Sequence, residues 1–171
     1  MSKHEILALI HKIANYGKEN LILPTAMKYI LKSPTTEKEF NDYYQLRFEI
    51  LRAPWGQEKG SEKDELENQS FHAMIIDEEQ SILAAGRLHY NNNKEAQVRY
   101  MCVKEEFQNL GLGKMILQTL EEKALSDQKK TIVLNARETI SDFYLKNGYK
   151  KIANAPTLFG TIKHIKMKKN I

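Results

Sequence analysis

The sequence predicts a mixed α/β (α+β) fold, and three observations carry that expectation. Between residues 71 and 103, three apolar runs are separated by the short polar turns Asp77-Glu78-Glu79-Gln80 and Asn91-Asn92-Asn93, the layout of an antiparallel meander. Directly afterwards Leu112, Ile116, Leu120 and Ala124 recur at helical spacing, and a short buried-strand run at 131–134 follows, which gives the middle of the chain β-α-β character. A length of 171 residues fits one domain, large enough to bury a core without disulfides or metals.

Taken in order, residues 2–17 read as a helix, because Ser2 and Glu5 have capping-box spacing and Ile6, Leu9, Ile10 and Ile13 share one face. Pro24 closes this stretch, so the chain divides into an N-terminal helical extension over 1–25 and a main domain over 26–171. A short strand is expected at 27–31. Thr36-Glu37-Lys38-Glu39 repeats the capping signature and opens a helix with the stripe Phe40, Tyr44, Phe48 and Leu51, which stops before Pro54. Residues 57–67 hold five acids against two lysines without apolar periodicity, so they read as a surface loop of solvated charges with a turn of helix. Strands are expected at 71–76, 81–90 and 96–103. A second short helix at 139–146 ends on Asn147-Gly148, and strands at 149–153 and 161–168 finish the sheet.

Composition narrows the function classes. The chain is 42% hydrophobic and 28% charged, as globular proteins are. No apolar run approaches the roughly 18 residues that a membrane-spanning helix needs. No apolar signal-peptide core leads the sequence, and a single cysteine, Cys102, excludes an intramolecular disulfide framework and any cysteine-cluster zinc site. A cytoplasmic compartment is expected. The five histidines show no metal-ligand spacing, so no metal is expected. The net charge of +4 resides largely in Lys163, Lys166, Lys168 and Lys169. These lysines are interspersed with Ile165 and Met167, which points to a solvated strand face rather than a nucleic-acid groove.

The chemistry concentrates between residues 99 and 114, where a strand leads into Gln108-Asn109-Leu110-Gly111-Leu112-Gly113-Lys114 and then into an amphipathic helix. Glycines there let the backbone approach a ligand closely, and the unpaired amides of a helix's first turn attract an anion such as a pyrophosphate. The spacing does not fit a Walker turn, since Gly111 and Gly113 are one residue apart and Lys114 precedes Met115. Nor does it fit the dinucleotide fingerprint, which needs Gly or Ala where Ile116 stands.

The remaining pattern, Gln-x-x-Gly-x-Gly after a strand, resembles the Arg/Gln-x-x-Gly-x-Gly/Ala motif of the GCN5-related N-acetyltransferases (GNAT). The order of strand, glycine turn, long helix, short strand, short helix with Phe143-Tyr144, and Asn147-Gly148-Tyr149 matches that family as well. The resemblance covers roughly residues 33–167. It implies a mixed central sheet of about seven strands flanked by about four helices, and it places the N-terminal helix outside the family's own domain. Tyr43-Tyr44-Gln45-Leu46-Arg47, Gly60-Ser61-Glu62-Lys63-Asp64 and Ala136-Arg137-Glu138 look most similar to the acetyltransferase half of a bacterial acetyltransferase–thioesterase fusion.

What the resemblance implies is an enzyme that binds acetyl-CoA and passes its acetyl group directly to an amine. The acceptor is open: a polyamine, an amino acid, an antibiotic, or a protein lysine or N-terminus. A non-catalytic module that binds CoA or an acyl carrier is the alternative. Met101, Cys102 and Val103 would offer strand backbone to the pantetheine amides, and residues 108–114 would hold the pyrophosphate. Phe143 and Tyr144 would flank the sulfur, with Tyr144 as general acid. Asn135 is a candidate for orienting substrate or water. Glu62 and Asp64, with Glu138, are candidates for the base, and their acidic loop would attract a cationic amine. His72 and Arg87 are candidates for lining the acceptor pocket. A core role is expected of the Cys102 side chain, and a homodimer is a modest expectation from the family.

Overall fold

The structure, a computed structural model, describes residues 28–171. The helix expected at 2–17 lies outside the described residues. The polar turns at 77–80 and 91–93 do reverse the chain. They join β2 (Phe71–Ile76), β3 (Ile82–Tyr90) and β4 (Glu95–Val103) into an antiparallel meander, with β1 (Ile30–Lys32) paired on the outer side of β2. Helix α2 (Leu112–Ser126) then crosses over and returns β5 (Thr131–Arg137) parallel to β4. After the short helix α3 (Ser141–Lys146), β6 (Lys150–Leu158) and β7 (Ile162–Asn170) complete a seven-stranded sheet in the order β1-β2-β3-β4-β5-β7-β6.

Side chains of alternate parity feed two cores. Ala73, Ile75, Ala84 and Leu88 face α2, which presents Leu112, Ile116, Leu117, Leu120 and Ala124. Met74, Ile76, Ala85 and Cys102 face helix α1 (Glu37–Leu51) on the other side. The capping box that opens α1 is present, with the Glu39 amide donating to Thr36 Oγ1 at 3.2 Å and the Glu39 carboxylate accepting from the Thr36 amide. Its buried face is rotated from the expected stripe: Tyr43, Leu46 and Arg47 are buried, while Phe40, Tyr44 and Phe48 are only half-buried. Two polar contacts account for the rotation. Tyr43 Oη donates to Gly86 O at 2.9 Å, and Arg47 turns inward to Glu67.

Two irregularities in β4 prepare the site. Ala85 pairs with Cys102 and Arg87 with Arg99, so Tyr100 and Met101 together oppose Gly86 in a β-bulge, and Tyr100 takes a left-handed φ of 53°. Gly86 is needed there for close approach, since a Cβ would lie 2.5 Å from Ile116 Cγ2 and 3.1 Å from Met101 Cγ. Beyond the bulge β4 leaves its other neighbour: β4 and β5 pair only from Glu95↔Thr131 to Val98↔Leu134 and then diverge. Among the described residues no helix is long and apolar enough to cross a membrane.

Candidate active site

A cavity of about 350 Å³ opens where β4 and β5 part. One wall is the free edge of β4. Lys104 N donates to Leu83 O on β3 at 2.9 Å, so by strand alternation the backbone groups of Val103 and Met101 point to the open side. An amide-bearing ligand laid along this edge would extend the sheet. At the end of β4 the chain turns through Asn109 (φ 63°) and Gly111 (φ 86°) into α2. The first backbone bond of α2 is Met115 N to Gly111 O, which leaves the amides of Leu112, Gly113 and Lys114 without intrahelical partners. A Cβ on Gly113 would make only ordinary contacts, 3.6 Å to Val103 and 3.7 Å to Phe143, whereas Gly111 is required by its φ.

Tyr144 and Asn135 both line the cavity. The Tyr144 ring is wedged edge-on between Phe143 and Tyr149, with its hydroxyl 3.9 Å from Met101 Sδ, and burial holds its pKa well above the ordinary tyrosine value. Cys102 points into the opposite core beside Tyr43, and burial pushes its thiol up to about 12, which removes it as a nucleophile at neutral pH.

The acidic loop departs from expectation. Glu58, Lys59, Lys63 and Glu65 are exposed as expected, but Glu62 and Glu67 are buried and Asp64 is half-buried. Glu67 accepts from Arg47 Nη1 and Nη2 at 2.9 and 2.8 Å and from Arg87 Nη1 at 2.6 Å. Asp64 accepts from Arg87 at 2.5 and 2.9 Å, from Arg99 at 3.1 Å and from Tyr100 Oη at 3.2 Å. Burial alone would raise both carboxyl pKa values, but the arginines outweigh it and hold both groups below the usual carboxylate range. Glu62 accepts from the Gly60 amide at 2.7 Å, and its carbonyl accepts from Arg47. None of these carboxylates lines the cavity, and neither does Glu138, which is exposed. His72 and Arg87 do not line it either. His72 hydrogen-bonds Glu67 O at 2.9 Å, and Arg87 belongs to the ion cluster under α1.

The sequence model of the acetyltransferase (GNAT) domain matches residues 54–171. The chain belongs to the GNAT acetyltransferase family. It is 28% identical over 134 residues to the uncharacterized N-acetyltransferase YjcF of Bacillus subtilis, a match covering 78% of this chain and 94% of that one. In fold it resembles an aminoglycoside 6'-N-acetyltransferase complexed with coenzyme A, with a TM-score of 0.71 at 14% identity over 82% of this chain and 96% of that one. It also resembles a GNAT acetyltransferase from Elizabethkingia anophelis with acetyl-CoA bound, with a TM-score of 0.64 at 16% identity over 84% and 98%. The GNAT match begins after α1, yet α1 supplies the buried Arg47 that ties the acidic loop to the GNAT sheet.

Several residues of this GNAT cleft were given no individual role by the sequence. Arg52, Arg99, Tyr100, Arg137, Phe159 and His164 line it, gathered from α1's end, the bulge, the end of β5 and the β6–β7 hairpin. His164 Nδ1 lies 2.9 Å from Ile162 O, and a carbonyl only accepts, so Nδ1 carries the proton and Nε2 is the unprotonated nitrogen of the neutral ring. Burial, with the charges of Arg137 and Arg52, lowers the His164 pKa. A histidine placed between strand lysines offered no such reading in one dimension.

Proposed function

We propose that this protein transfers the acetyl group of acetyl-CoA to an amine held in the cleft between β4 and β5, by direct attack in a ternary complex. The observation that carries the reading is the course of one chain segment past the cleft. Met101 on the open β4 edge and Tyr144 line the cavity where the strands part, and from there β4 runs on through Val103 and the glycine turn to the unpaired amides at the start of α2. The edge fits the two amides of pantetheine, and the α2 amides, with exposed Lys114, fit a pyrophosphate. Acetyl-CoA supplies an activated acyl thioester.

The chain's own residues divide the remaining work. Backbone amides of β4 orient the carbonyl and stabilise charge developing on its oxygen. Tyr144 keeps its proton because burial disfavours the phenolate, and its only hydrogen-bond acceptor among the described residues is the weak Met101 sulfur. A thiolate formed in buried surroundings is also more basic than in water, so it competes for the Tyr144 proton. His164, neutral with Nε2 unprotonated, takes the proton of the attacking amine. Asp64 does not serve as base, since its carboxylate is held ionised by Arg87.

Calorimetry with acetyl-CoA, run beside thiol release over an amine panel, tests the reading. Binding with amine-dependent release supports it. Binding without release to any amine favours the non-catalytic CoA or acyl-carrier module, and absence of binding overturns the reading of the glycine turn.

A further inference from the structure

The cleft's charge identifies a class of acceptor. Arg52 follows α1 and Arg137 ends β5; both are half-buried and both line the cavity. Arg52 donates Nε to Ser61 O and Nη1 to Leu51 O, each at 2.9 Å, and neither partner carries charge. Arg137 makes no side-chain hydrogen bond or ion pair among the described residues, and no carboxylate offsets its burial. A third lining arginine, Arg99, is paired with Asp64, and His164 adds the acceptor nitrogen Nε2. Among the described residues, not one aspartate or glutamate lines the cavity.

Aromatic faces position the two uncompensated guanidiniums. Arg137 lies 5.6 Å from the Trp55 ring centroid, and Arg52 lies 5.3 Å from Phe159 and 5.2 Å from Tyr100. A guanidinium supported on its face keeps its in-plane N–H groups for a planar or tetrahedral oxyanion. Half-buried charge without a counterion is unfavourable, and burial lowers the pKa of both groups. A bound anion removes that penalty. The CoA pyrophosphate is not that anion, because no residue of 108–114 lines this cavity.

Resting on the transferase reading above, we propose that the acceptor is an amine that also carries an oxyanion, a carboxylate or a phosphate monoester, held by Arg52 and Arg137. The same field disfavours polycationic acceptors such as polyamines and aminoglycosides, the reverse of what the acidic loop suggests in the sequence.

Thiol release by the full chain is measured with matched pairs: amino acids against their amides, O-phosphoethanolamine against ethanolamine, and spermidine as a polycation. The expected result is at least a tenfold higher kcat/KM for the anionic member of one pair, and which pair responds tells carboxylate from phosphate. Arg137→Gln and Arg52→Gln are each expected to collapse that ratio, while the Kd of acetyl-CoA changes less than twofold. Equal kcat/KM within both pairs, or preference for spermidine, overturns the proposal. If no amine releases thiol, the transferase reading fails separately, and calorimetry of N-acetyl amino acids and N-acetyl-O-phosphoethanolamine with the CoA-loaded protein decides. Binding that Arg137→Gln abolishes supports the oxyanion site, and its absence in the unaltered protein overturns it.

Discussion

Two groups of arginines sit within the same half of this molecule and have opposite surroundings. Under α1, Arg47 and Arg87 are fully buried and share Glu67, with Asp64 also on Arg87, in a hydrogen-bonded ion cluster. At the cleft, Arg52 and Arg137 are half-buried, rest on aromatic rings, and face no carboxylate among the described residues. Tyr100 stands at the boundary. Its ring centroid is 3.8 Å from Arg47 and 5.2 Å from Arg52, and the bulge that gives it a left-handed φ sets it between cluster and cleft. Charges that the fold satisfies internally hold the acidic loop to the sheet. Charges that the fold leaves unsatisfied are available to a ligand.

The sharpest way to break this comparison is at Glu67. Glu67→Gln leaves the buried Arg47 guanidinium without its carboxylate and Arg87 with Asp64 alone, and is expected to cost about 3–5 kcal/mol in urea unfolding. A loss below about 1 kcal/mol, the range of exposed pairs, would mean that the cluster is not structural. At the cleft, Tyr144→Phe is expected to lower kcat by about 100-fold, within the range of general acid catalysis, with acetyl-CoA affinity changed far less than turnover. Undiminished turnover would remove Tyr144 from the chemistry.

Smaller effects test the backbone between the two regions. Gly86→Ala places a methyl against Ile116 and Met101 and is expected to cost about 1–3 kcal/mol in thermal or urea unfolding. Gly111→Ala forces a left-handed φ on alanine and is expected to weaken acetyl-CoA binding by about 1–2 kcal/mol. Gly113→Ala, which meets only ordinary contacts, is expected to weaken it less, and the reverse order in calorimetry would show that the turn is misassigned.

The pH dependence follows from the same contrast. Asp64 and Glu67 have folded pKa values below their ordinary 3.8 and 4.5, so their contribution to stability is complete above those values and is lost progressively as pH falls from them through the lower folded values. Stability is therefore expected to hold from neutrality to about pH 5 and to decline below, with a shallower decline in Asp64→Asn. The His164 pKa lies below the ordinary 6.5, so kcat/KM is expected to fall on an acid limb below that pH. An unchanged limb in His164→Gln would assign it to another group.

Much of the frame was legible in one dimension because it rests on local signals. The run 71–76 is β2 as read, the Thr36 capping box opens α1, and the glycine turn lies between β4 and α2 where its spacing placed it. What escaped was non-local. Arg47 meets Glu67 across 20 residues and Arg87 meets Asp64 across 23, so neither pairing is legible from either charge alone, and the sequence points Arg87 to the acceptor pocket and Asp64 to the base instead. Arg87 carried one usable signal, a lone charge inside the apolar run Ile82 to Leu88, which demands a buried partner. Arg52 and Arg137 come from different layers of the fold, and nothing in their neighbourhoods announces a shared cleft.

Equilibrium unfolding of Arg137→Gln beside Glu67→Gln, with the acid-to-amide selectivity of Arg137→Gln read in parallel, tests the contrast most directly. The account predicts that Arg137→Gln unfolds within about 0.5 kcal/mol of the unaltered protein, as a substitution outside the packed core does, yet loses its preference for anionic amines. A loss of stability approaching that of Glu67→Gln, with selectivity intact, would contradict it.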